Sequence, residues 1–302
     1  MTISDAPSVP PEVLRYTAFS TDPAGGNPAG VVLDAAALDG AAMLAIAAEV
    51  GYSESAFITP PPPELADGPG RAYSIRYFSP KAEVPFCGHA TVATAIALAE
   101  AGEISASGTG DLVFATRAGI VPVTVARVDG QLRATLTSVE PAVEEAGEAD
   151  VAEALAALGW TAADLDPASE PRIAFAGARH LVLTAATRSR LADLDYDFVR
   201  LEALMHRLDL TTVQLVWRES DSVFHVRDPF PVGGVVEDPA TGAAALAFGA
   251  YARELGLVPD AAVLTLHQGA DMGRPGLLTV ELRAGDPRVR VSGAGARIPD
   301  QA

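Results

Sequence analysis

Three side chains in this sequence are candidates for proton chemistry, namely Glu54, His89 and Asp238. Period-two alternation from Tyr52 to Ile58 places Glu54 on the apolar face of a predicted strand. A carboxyl group on such a face is desolvated, which suits it to act as a general acid or base. The alternative is a glutamate at a strand end that points to solvent.

His89 and Asp238 stand at the starts of two predicted helices. His89 follows Gly88, where the helix dipole favours the neutral ring as a hydrogen-bond donor. Asp238 precedes Pro239, where an aspartate most often caps a helix. Each residue alone favours a structural role, whereas their matching placement favours chemistry.

The two helix starts echo each other along the chain. Phe86–Thr91 and Glu237–Gly242 each open an alanine-rich helix, and Thr241 follows Thr91 by 150 residues, half of the chain. Helices that are apolar nearly all round are buried. We therefore expect an α/β protein of two similar domains, each a curved sheet or barrel around one central helix.

A buried helix N-terminus favours an anion, because its unpaired N–H groups and its dipole both attract negative charge. Two such ends facing each other across a cleft would hold a small anionic substrate. The binding residues would then include Gly88, Thr91, Thr241, Gly242 and Ala243. A simple duplication with no site between the halves is equally compatible with the echo.

The remaining pattern predicts the elements that position these residues. Helices are expected at 39–50, 89–101, 151–158, 198–208 and 241–255. Strands are expected at 13–19, 31–33, 52–59, 72–78, 112–116, 120–127, 131–137, 180–183, 213–217, 222–227, 262–267, 277–283 and 289–292. Loops are expected at 22–30 and 60–70, with an irregular joint at 141–150. We expect an N-terminal domain over 1–128 with Glu54 and the Cys87-Gly88-His89 helix start, and a C-terminal domain over 129–288 with Asp238. Segment 289–302 is expected to pack back on the first domain.

Composition excludes several classes of function. The net charge of −18 and the absence of a Lys or Arg run argue against a nucleic-acid partner and against an anionic membrane surface. Cys87 is the single cysteine, so neither an internal disulfide nor a two-thiol racemase is possible. The first 12 residues carry no secretory signal, which predicts a cytoplasmic protein. The other four histidines show no ligand spacing with Cys87, and phosphate-loop motifs are missing, so no metal and no cofactor are expected.

Several short motifs carry a wider resemblance. They are Gly26–Val31, Tyr52–Phe57, Phe78–Pro80 with Val84–Thr91, Glu237–Gly242, Gln268–Gly269 with Met272–Pro275, and Val291–Gly293. In this order, over nearly the whole chain, they resemble the PhzF-like isomerases of phenazine biosynthesis, whose fold is that of diaminopimelate epimerase.

The resemblance implies roles for individual residues. Glu54 would shuttle the proton, Gly88 and His89 would bind and orient the substrate, and Asp238 would face Glu54 across the cleft. Asn27 and Gly293, which lie in the matching motifs, are expected to contact substrate. The reaction would be an isomerisation without metal or cofactor, and the expected partners are a small anionic substrate and a second copy of the chain as a homodimer.

One position departs from the family pattern. Ala243 stands where the family usually has serine, so only backbone N–H groups remain at that helix start. This departure bears on the classical dihydro-hydroxyanthranilate substrate more than on the reaction type. Two alternatives stay open: a small-molecule binder that has lost turnover, and an epimerase-type enzyme that uses Glu54 with Cys87 or Asp238. The epimerase pattern has a second cysteine near the position of Pro239, and this sequence has none there.

Overall fold

The computed structural model describes residues 11–66, 71–104 and 109–299, and these residues form two compact units. Unit 1 comprises the chain up to Pro23, Pro28–Ala134 and the chain from Ala294 onward. Unit 2 comprises Ala24–Asn27 and Thr135–Gly293. The expected α/β fold is confirmed, with mixed sheets and a few helices.

The strands are β1 (Leu14–Ala18), β2 (Asn27–Val32), β3 (Glu54–Thr59), β4 (Arg71–Phe78), β5 (Glu83–Val84), β6 (Thr109–Thr116), β7 (Gly119–Val128), β8 (Gln131–Thr137), β9 (Ala142–Glu145), β10 (Arg172–Phe175), β11 (Arg179–Thr184), β12 (Thr212–Arg218), β13 (Val223–Pro229), β14 (Glu237–Asp238), β15 (Ala262–Gln268), β16 (Gly276–Arg283) and β17 (Asp286–Arg297). The helices are α1 (Gly40–Val50), α2 (Pro63–Ala66), α3 (Gly88–Glu100), α4 (Glu148–Leu158), α5 (Arg188–Ala192), α6 (Phe198–Leu208) and α7 (Gly242–Glu254).

Unit 1 is a mixed sheet built around α3. β2 and β3 pair in parallel, as do β4 and β6, whereas β3 with β4 and β6 with β7 are antiparallel. The end of β17 pairs with β1, with Tyr16 opposite Arg297. Ten of the 13 residues of α3 are buried, and the helix packs against β1, β3 and β7. The alanine-rich sequence allows this close approach, because its side chains are small on every face.

Unit 2 contains a closed barrel of eight strands. Its order is β9, β10, β11, β12, β13, β15, β16 and β17, with parallel pairs only at β11–β12 and β13–β15. Ser138, just ahead of β9, closes the ring: its N–H donates to the Val289 carbonyl at 2.8 Å and its Oγ accepts from the Val289 N–H at 2.9 Å.

The central helix of unit 2 is α7, which has ten of 13 residues buried and packs against β9, β10, β11 and β16. On the other side of the sheet, α4 and α6 pack together over an apolar cluster that includes Leu181 and Leu183 of β11. Alternate residues of β11 therefore face α7. Each predicted central helix is thus a buried helix in its own unit.

Local signals fix the helix ends that the sequence predicted. The Asp39 side chain accepts from the Ala42 N–H at 2.8 Å and begins α1. Gly51, at φ +73°, ends α1 by donating its N–H to the Ala47 carbonyl. Asp197 caps α6 by accepting from the Arg200 N–H at 3.0 Å.

Some predicted loops are regular structure. β2 begins at Asn27, inside the predicted 22–30 loop, because Ala29 and Gly30 pair in parallel with Glu54 and Ser55. The irregular joint at 141–150 contains β9 and the first turn of α4. The 60–70 loop contains the one-turn α2, and its residues 67–70 lie outside the described part. The sequence also missed the short strands β5, β10 and β14 and the five-residue helix α5, which are too short to show a periodic pattern.

A search of the described residues for membrane-spanning helices finds none of sufficient length and apolarity.

Candidate active site

In unit 1, Glu54, Cys87 and His89 come together. The Cys87 thiol lies 3.6 Å from Glu54 Oε2, and His89 Nε2 lies 3.5 Å from the same oxygen. The thiol sulfur is 3.4 Å from His89 Nδ1 and 3.7 Å from Nε2. A carboxylate, a thiol and an imidazole therefore share one small volume, and all three can carry a proton.

The backbone explains why Glu54 sits there. Glu54 is the first residue of β3, whose next four residues are buried, so the strand is buried on both faces rather than on one. Gly30 permits the close β2–β3 approach, because a Cβ there would lie 2.4 Å from Ser55 Oγ. The Glu54 side chain is only 13% exposed, which excludes the solvent-facing alternative.

The start of α3 positions the other two groups. Cys87 is the N-cap residue and His89 the second helical residue. The Cys87 carbonyl accepts from the Thr91 N–H at 3.0 Å and from Thr91 Oγ1 at 2.6 Å. Thr91 Oγ1 also pairs with the Tyr77 hydroxyl at 2.6 Å. Thr91, predicted to bind substrate, is fully buried, and its hydroxyl holds the helix start in place.

This cluster also has the donor types of a metal site. One ligand atom from each of Glu54, Cys87 and His89 lies within 4.8 Å of the others. Within the described ranges, no other group of three His, Cys, Asp or Glu residues meets that criterion. The sequence expectation of no metal considered only spacing along the chain, which does not reveal this cluster.

In unit 2, Asp238 is the centre of a buried hydrogen-bond network. Its Oδ1 accepts from Asn27 Nδ2 at 2.8 Å, and its Oδ2 accepts from Thr241 Oγ1 at 2.6 Å. Gln268 completes the network: its Oε1 accepts from the Thr241 N–H at 2.9 Å, and its Nε2 donates to the Asp238 carbonyl at 2.8 Å. The carboxylate is therefore held in one orientation by two donors.

The helix-cap alternative for Asp238 is wrong, whereas His89 lies at a helix start as the sequence predicts. Asp238 lies in β14 and is not the cap of α7, because Thr241 is the N-cap residue and makes no side-chain cap bond. His89, in contrast, is the second residue of α3. His89 and Asp238 therefore do not occupy equivalent positions, because His89 belongs to its helix and Asp238 precedes the N-cap residue of α7 by three residues.

Asn27 and Gln268 owe their positions to a turn that the sequence did not interpret. Arg274 donates from Nε to the Gly26 carbonyl and from Nη2 to the Gly25 carbonyl, each at 2.9 Å. Gly269 adopts φ +77°, and a Cβ there would lie 2.4 Å from the Arg274 carbonyl oxygen. The Gln268-Gly269 motif indicated this segment through the family resemblance alone, and the role of Gln268 in fixing Thr241 was missed.

A second buried carboxyl group, that of Asp228, belongs to the strand next to Asp238. Asp228 pairs with Asp238 across β13 and β14, and burial raises its pKa well above the ordinary carboxyl value, with the charges of Asp238 and Glu237 adding to the effect. Thr212 Oγ1 donates to Asp228 Oδ1 at 2.8 Å and pairs with His180 Nδ1 at 2.8 Å. Burial lowers the pKa of His180 to about 3, so its ring is neutral.

The remaining predicted site residues lie on these same elements. Gly88 is the half-buried first residue of α3. Gly242 and Ala243 are the first two residues of α7, with Gly242 buried and Ala243 half-buried. Gly293 is buried in β17. By helix geometry the N–H groups of Gly242 and Ala243 have no carbonyl partner within α7.

A sequence model of the phenazine biosynthesis-like protein family, PhzC-PhzF, matches residues 16–300. The chain belongs to this family. An uncharacterized isomerase of Mesorhizobium japonicum is 35% identical over 95% of this chain and 96% of that protein. The trans-2,3-dihydro-3-hydroxyanthranilate isomerase of Pseudomonas aeruginosa is 32% identical over 92% of this chain and 94% of that protein.

The solved structures agree with this family assignment. A Pseudomonas aeruginosa protein described as a predicted epimerase superposes with a TM-score of 0.82 at 28% identity, covering 96% of this chain and 98% of that chain. The family resemblance and the fold expected from the motifs are confirmed. This PhzF-family chain is an enzyme of the isomerase class.

Proposed function

We propose that the chain is a cofactor-independent isomerase that moves a proton within a small carboxylate-bearing substrate, with Glu54 as the acid and base. The observation that carries this proposal is the Glu54 carboxylate, held at the start of β3 with 13% of its side chain exposed. It is exposed enough to reach a ligand and buried enough that protein groups rather than bulk water surround it. General acid–base catalysis requires such a positioned group.

Neighbouring groups support this role for Glu54. His89 Nε2 and the Cys87 thiol both lie within 3.6 Å of its Oε2, so each can orient the carboxyl group or stabilise its charge. As a separate part of the proposal, the N–H groups of Gly242 and Ala243 in the first turn of α7, within unit 2, can bind a carboxylate. Because Ala243 has no hydroxyl, a substrate carboxylate there would be bound by backbone groups alone.

The substrate belongs to this proposal as a class. The Pseudomonas aeruginosa relative is named for trans-2,3-dihydro-3-hydroxyanthranilate, which carries a carboxylate and a proton that can move within the molecule. We propose a substrate of the same chemical type, an amino or hydroxy acid with a hydrogen on an activated carbon.

Solvent-deuterium incorporation tests the reaction without knowledge of the product. A panel of cyclic and linear amino and hydroxy acids, including the dihydro-hydroxyanthranilate, is incubated in D₂O, and mass spectrometry counts the exchanged hydrogens. On any substrate that exchanges, Glu54→Gln should lower the rate by about 10²- to 10⁴-fold, since the amide cannot take up a proton. Ligand binding should persist, because the amide keeps the shape of the side chain.

Ser53→Ala provides a matched control on the adjacent residue. It removes a hydroxyl 3.4 Å from His89 Nε2 but leaves the carboxylate in place. An exchange rate near wild type in Glu54→Gln, on a substrate that the enzyme turns over, would refute Glu54 as the base.

A second candidate function is an epimerase-type reaction that uses Glu54 with Cys87. The thiol lies 3.6 Å from Glu54 Oε2, so the two groups can pass a proton to each other and Cys87 can relay the proton that Glu54 takes up. Our proposal predicts that Cys87→Ala keeps most of the exchange activity. If Cys87→Ala abolished exchange in a protein that folds normally, the epimerase-type reaction would replace the one proposed.

A further inference from the structure

We propose that Asp228 is a positioning residue: it carries the single proton of a buried pair of aspartates and so keeps its neighbour Asp238 ionised. The two residues lie directly opposite each other on β13 and β14, and both are buried. The Cβ atoms of residues in such positions are about 4.5 to 5.5 Å apart, so two carboxylates there would repel each other. One proton shared by the pair removes this repulsion.

The donors around the pair decide which residue carries the proton. Asp238 accepts from Asn27 Nδ2 at 2.8 Å and from Thr241 Oγ1 at 2.6 Å, one donor for each oxygen. Asp228 accepts from Thr212 Oγ1 at 2.8 Å on Oδ1, whereas its Oδ2 accepts from none of the described residues. Hydrogen bonds donated to a carboxylate stabilise its charged form, so Asp238 is the carboxylate and Asp228 the acid.

Two basic side chains near the pair do not balance a second negative charge. Arg227 precedes Asp228 in β13 and therefore points to the opposite face of the sheet, where it binds Glu237. The His180 ring is neutral, because burial lowers its pKa to about 3. Desolvation of the fully buried Asp228 raises the pKa of its carboxyl group well above the ordinary value, and the charges of Asp238 and Glu237 add to the effect.

The hydrogen bonds behind Asp228 run in one direction, toward the pair. Thr212 Oγ1 gives its one proton to Asp228 Oδ1, so it can only accept from His180 Nδ1, which lies 2.8 Å away. The neutral imidazole therefore carries its proton on Nδ1. This chain of donors ends on Asp228 Oδ1 and leaves Oδ2 to carry the proton of the acid.

Thr241 continues the same direction on the other side of Asp228. Its hydroxyl gives its one proton to Asp238 Oδ2 and accepts from Gln268 Nε2 at 2.9 Å, so one acceptor position remains on Oγ1. The Thr241 side chain lies within hydrogen-bonding distance of the Asp228 carboxyl group. The proton on Asp228 Oδ2 can therefore be donated to Thr241 Oγ1, which keeps the Thr241 proton directed at Asp238.

An ionised Asp238 orients the segment that leads into α7. A carboxylate accepts on both oxygens, whereas a protonated carboxyl group donates from one of them and would turn away Asn27 or Thr241. Asn27 Nδ2 also donates to the Ala240 carbonyl at 3.0 Å, so its orientation depends on the charge of Asp238. Asp228 is fully buried and acts on the predicted substrate-binding residue Asn27 through Asp238.

Infrared spectroscopy of the full chain tests where the proton lies, independently of the proposed function. A protonated carboxyl group has a C=O stretching band that is separate from the carboxylate and amide bands. The wild type should show this band at neutral pH, and Asp228→Asn should abolish it. Asp238→Asn should retain it, because burial is the main cause of the protonation of Asp228.

The matched control is Asp195→Asn, which alters an exposed aspartate of unit 2 and should also retain the band. Absence of the band from the wild type, or its survival in Asp228→Asn, overturns the proposal. Loss of the band in Asp238→Asn would assign the proton to Asp238 and overturn it as well. The wild-type measurement needs no variant to fold.

Deuterium exchange tests the positioning effect, and this second measurement rests on the proposed function. The amide of Asp228→Asn can still accept from Thr212 and donate toward Thr241, whereas Asp228→Val keeps neither bond. Exchange should therefore be slower in Asp228→Val than in Asp228→Asn by roughly tenfold or more, as expected for hydrogen bonds that act on a charged group. Equal rates in the two folded variants would overturn the positioning role. If the wild type exchanges no substrate, the proposed function fails, and the infrared band still decides the place of the proton.

Discussion

Arg227 and Glu237 form a buried ion pair directly beside Asp238. Arg227 Nε donates to Glu237 Oε1 at 2.9 Å and Nη2 donates to Oε2 at 2.5 Å, while Nη1 donates to the Ala192 carbonyl at 2.7 Å. The two side chains are only 10% and 4% exposed. Glu237 immediately precedes Asp238 in β14, so this pair anchors the strand that carries the predicted site residue.

Replacing Arg227 with methionine keeps most of the side-chain length but removes the charge and all three donated bonds. The Glu237 carboxylate is then buried without a cation, and breaking a buried pair in this way costs about 3 to 5 kcal/mol of unfolding free energy. For a unit of this size, that loss lowers the midpoint of thermal unfolding by roughly 6 to 20 °C. Arg227→Met combined with Glu237→Leu should recover most of the loss, because apolar replacement of both partners is often neutral or stabilising.

Tryptophan fluorescence is suited to this measurement, because both tryptophans of the chain, Trp160 and Trp217, belong to unit 2. Urea unfolding followed by tryptophan fluorescence therefore reports on unit 2, which contains the ion pair. The midpoint should fall in Arg227→Met with an unchanged dependence on urea, which marks a change in stability alone. A loss below about 1 kcal/mol, or a double variant as unstable as the single one, would refute the reasoning.

Three further predictions concern unit 2. Burial raises the pKa of Asp228, so the folded protein keeps a proton that the unfolded chain releases above the ordinary carboxyl pKa, and wild-type stability falls as the pH rises above that value. The stability of Asp228→Asn relative to wild type should therefore increase between pH 4.5 and pH 8 in the same urea assay. A decrease over that range would contradict the prediction. Asp238→Asn turns an amide toward one of its two hydrogen-bond donors, so it should slow deuterium exchange, though less than Glu54→Gln does; an equal or larger effect would make Asp238 the better candidate for the base. Gly269→Ala should destabilise the fold by at least about 1 kcal/mol more than Gly256→Ala. Both glycines have positive φ, but only at Gly269 would the new Cβ lie within 2.6 Å of two backbone carbonyl oxygens. Equal losses of stability would show that the backbone angle φ alone decides the cost.

The elements that the sequence predicted best are those whose ends depend on local chemistry. For α1 and α6, the signals are the periodicity of the helix itself and the capping residue that precedes it, which is Asp39 or Asp197. The buried alanine-rich helices α3 and α7 were also predicted, since no polar face interrupts their sequence. The beginning of β2 was not, because its Asn-Pro-Ala-Gly sequence resembles a turn and only pairing with β3 makes it a strand.

The site follows the same division between local and distant interactions. Glu54 and His89 were selected from local context, and the structure places them 3.5 Å apart. Cys87 was paired with Glu54 only in the epimerase-type alternative, because the thiol and the carboxylate are 33 residues apart in sequence. Likewise, Gln268 reaches the Thr241 N–H across 27 residues. Composition and spacing contain no information on such contacts until the strands are paired.

The membership of the two units constrains how the chain can be made and cut. Residues 24–27 belong to unit 2 although unit 1 surrounds them in sequence, and β17 begins in unit 2 and ends in unit 1. β1 therefore pairs with a strand about 280 residues later, with Tyr16 opposite Arg297. During synthesis on the ribosome, neither unit can complete its sheet until β17 has emerged, so the nascent chain that precedes β17 needs protection from aggregation. For the same reason, no single cut of the gene separates the two units into fragments that each keep all their strands.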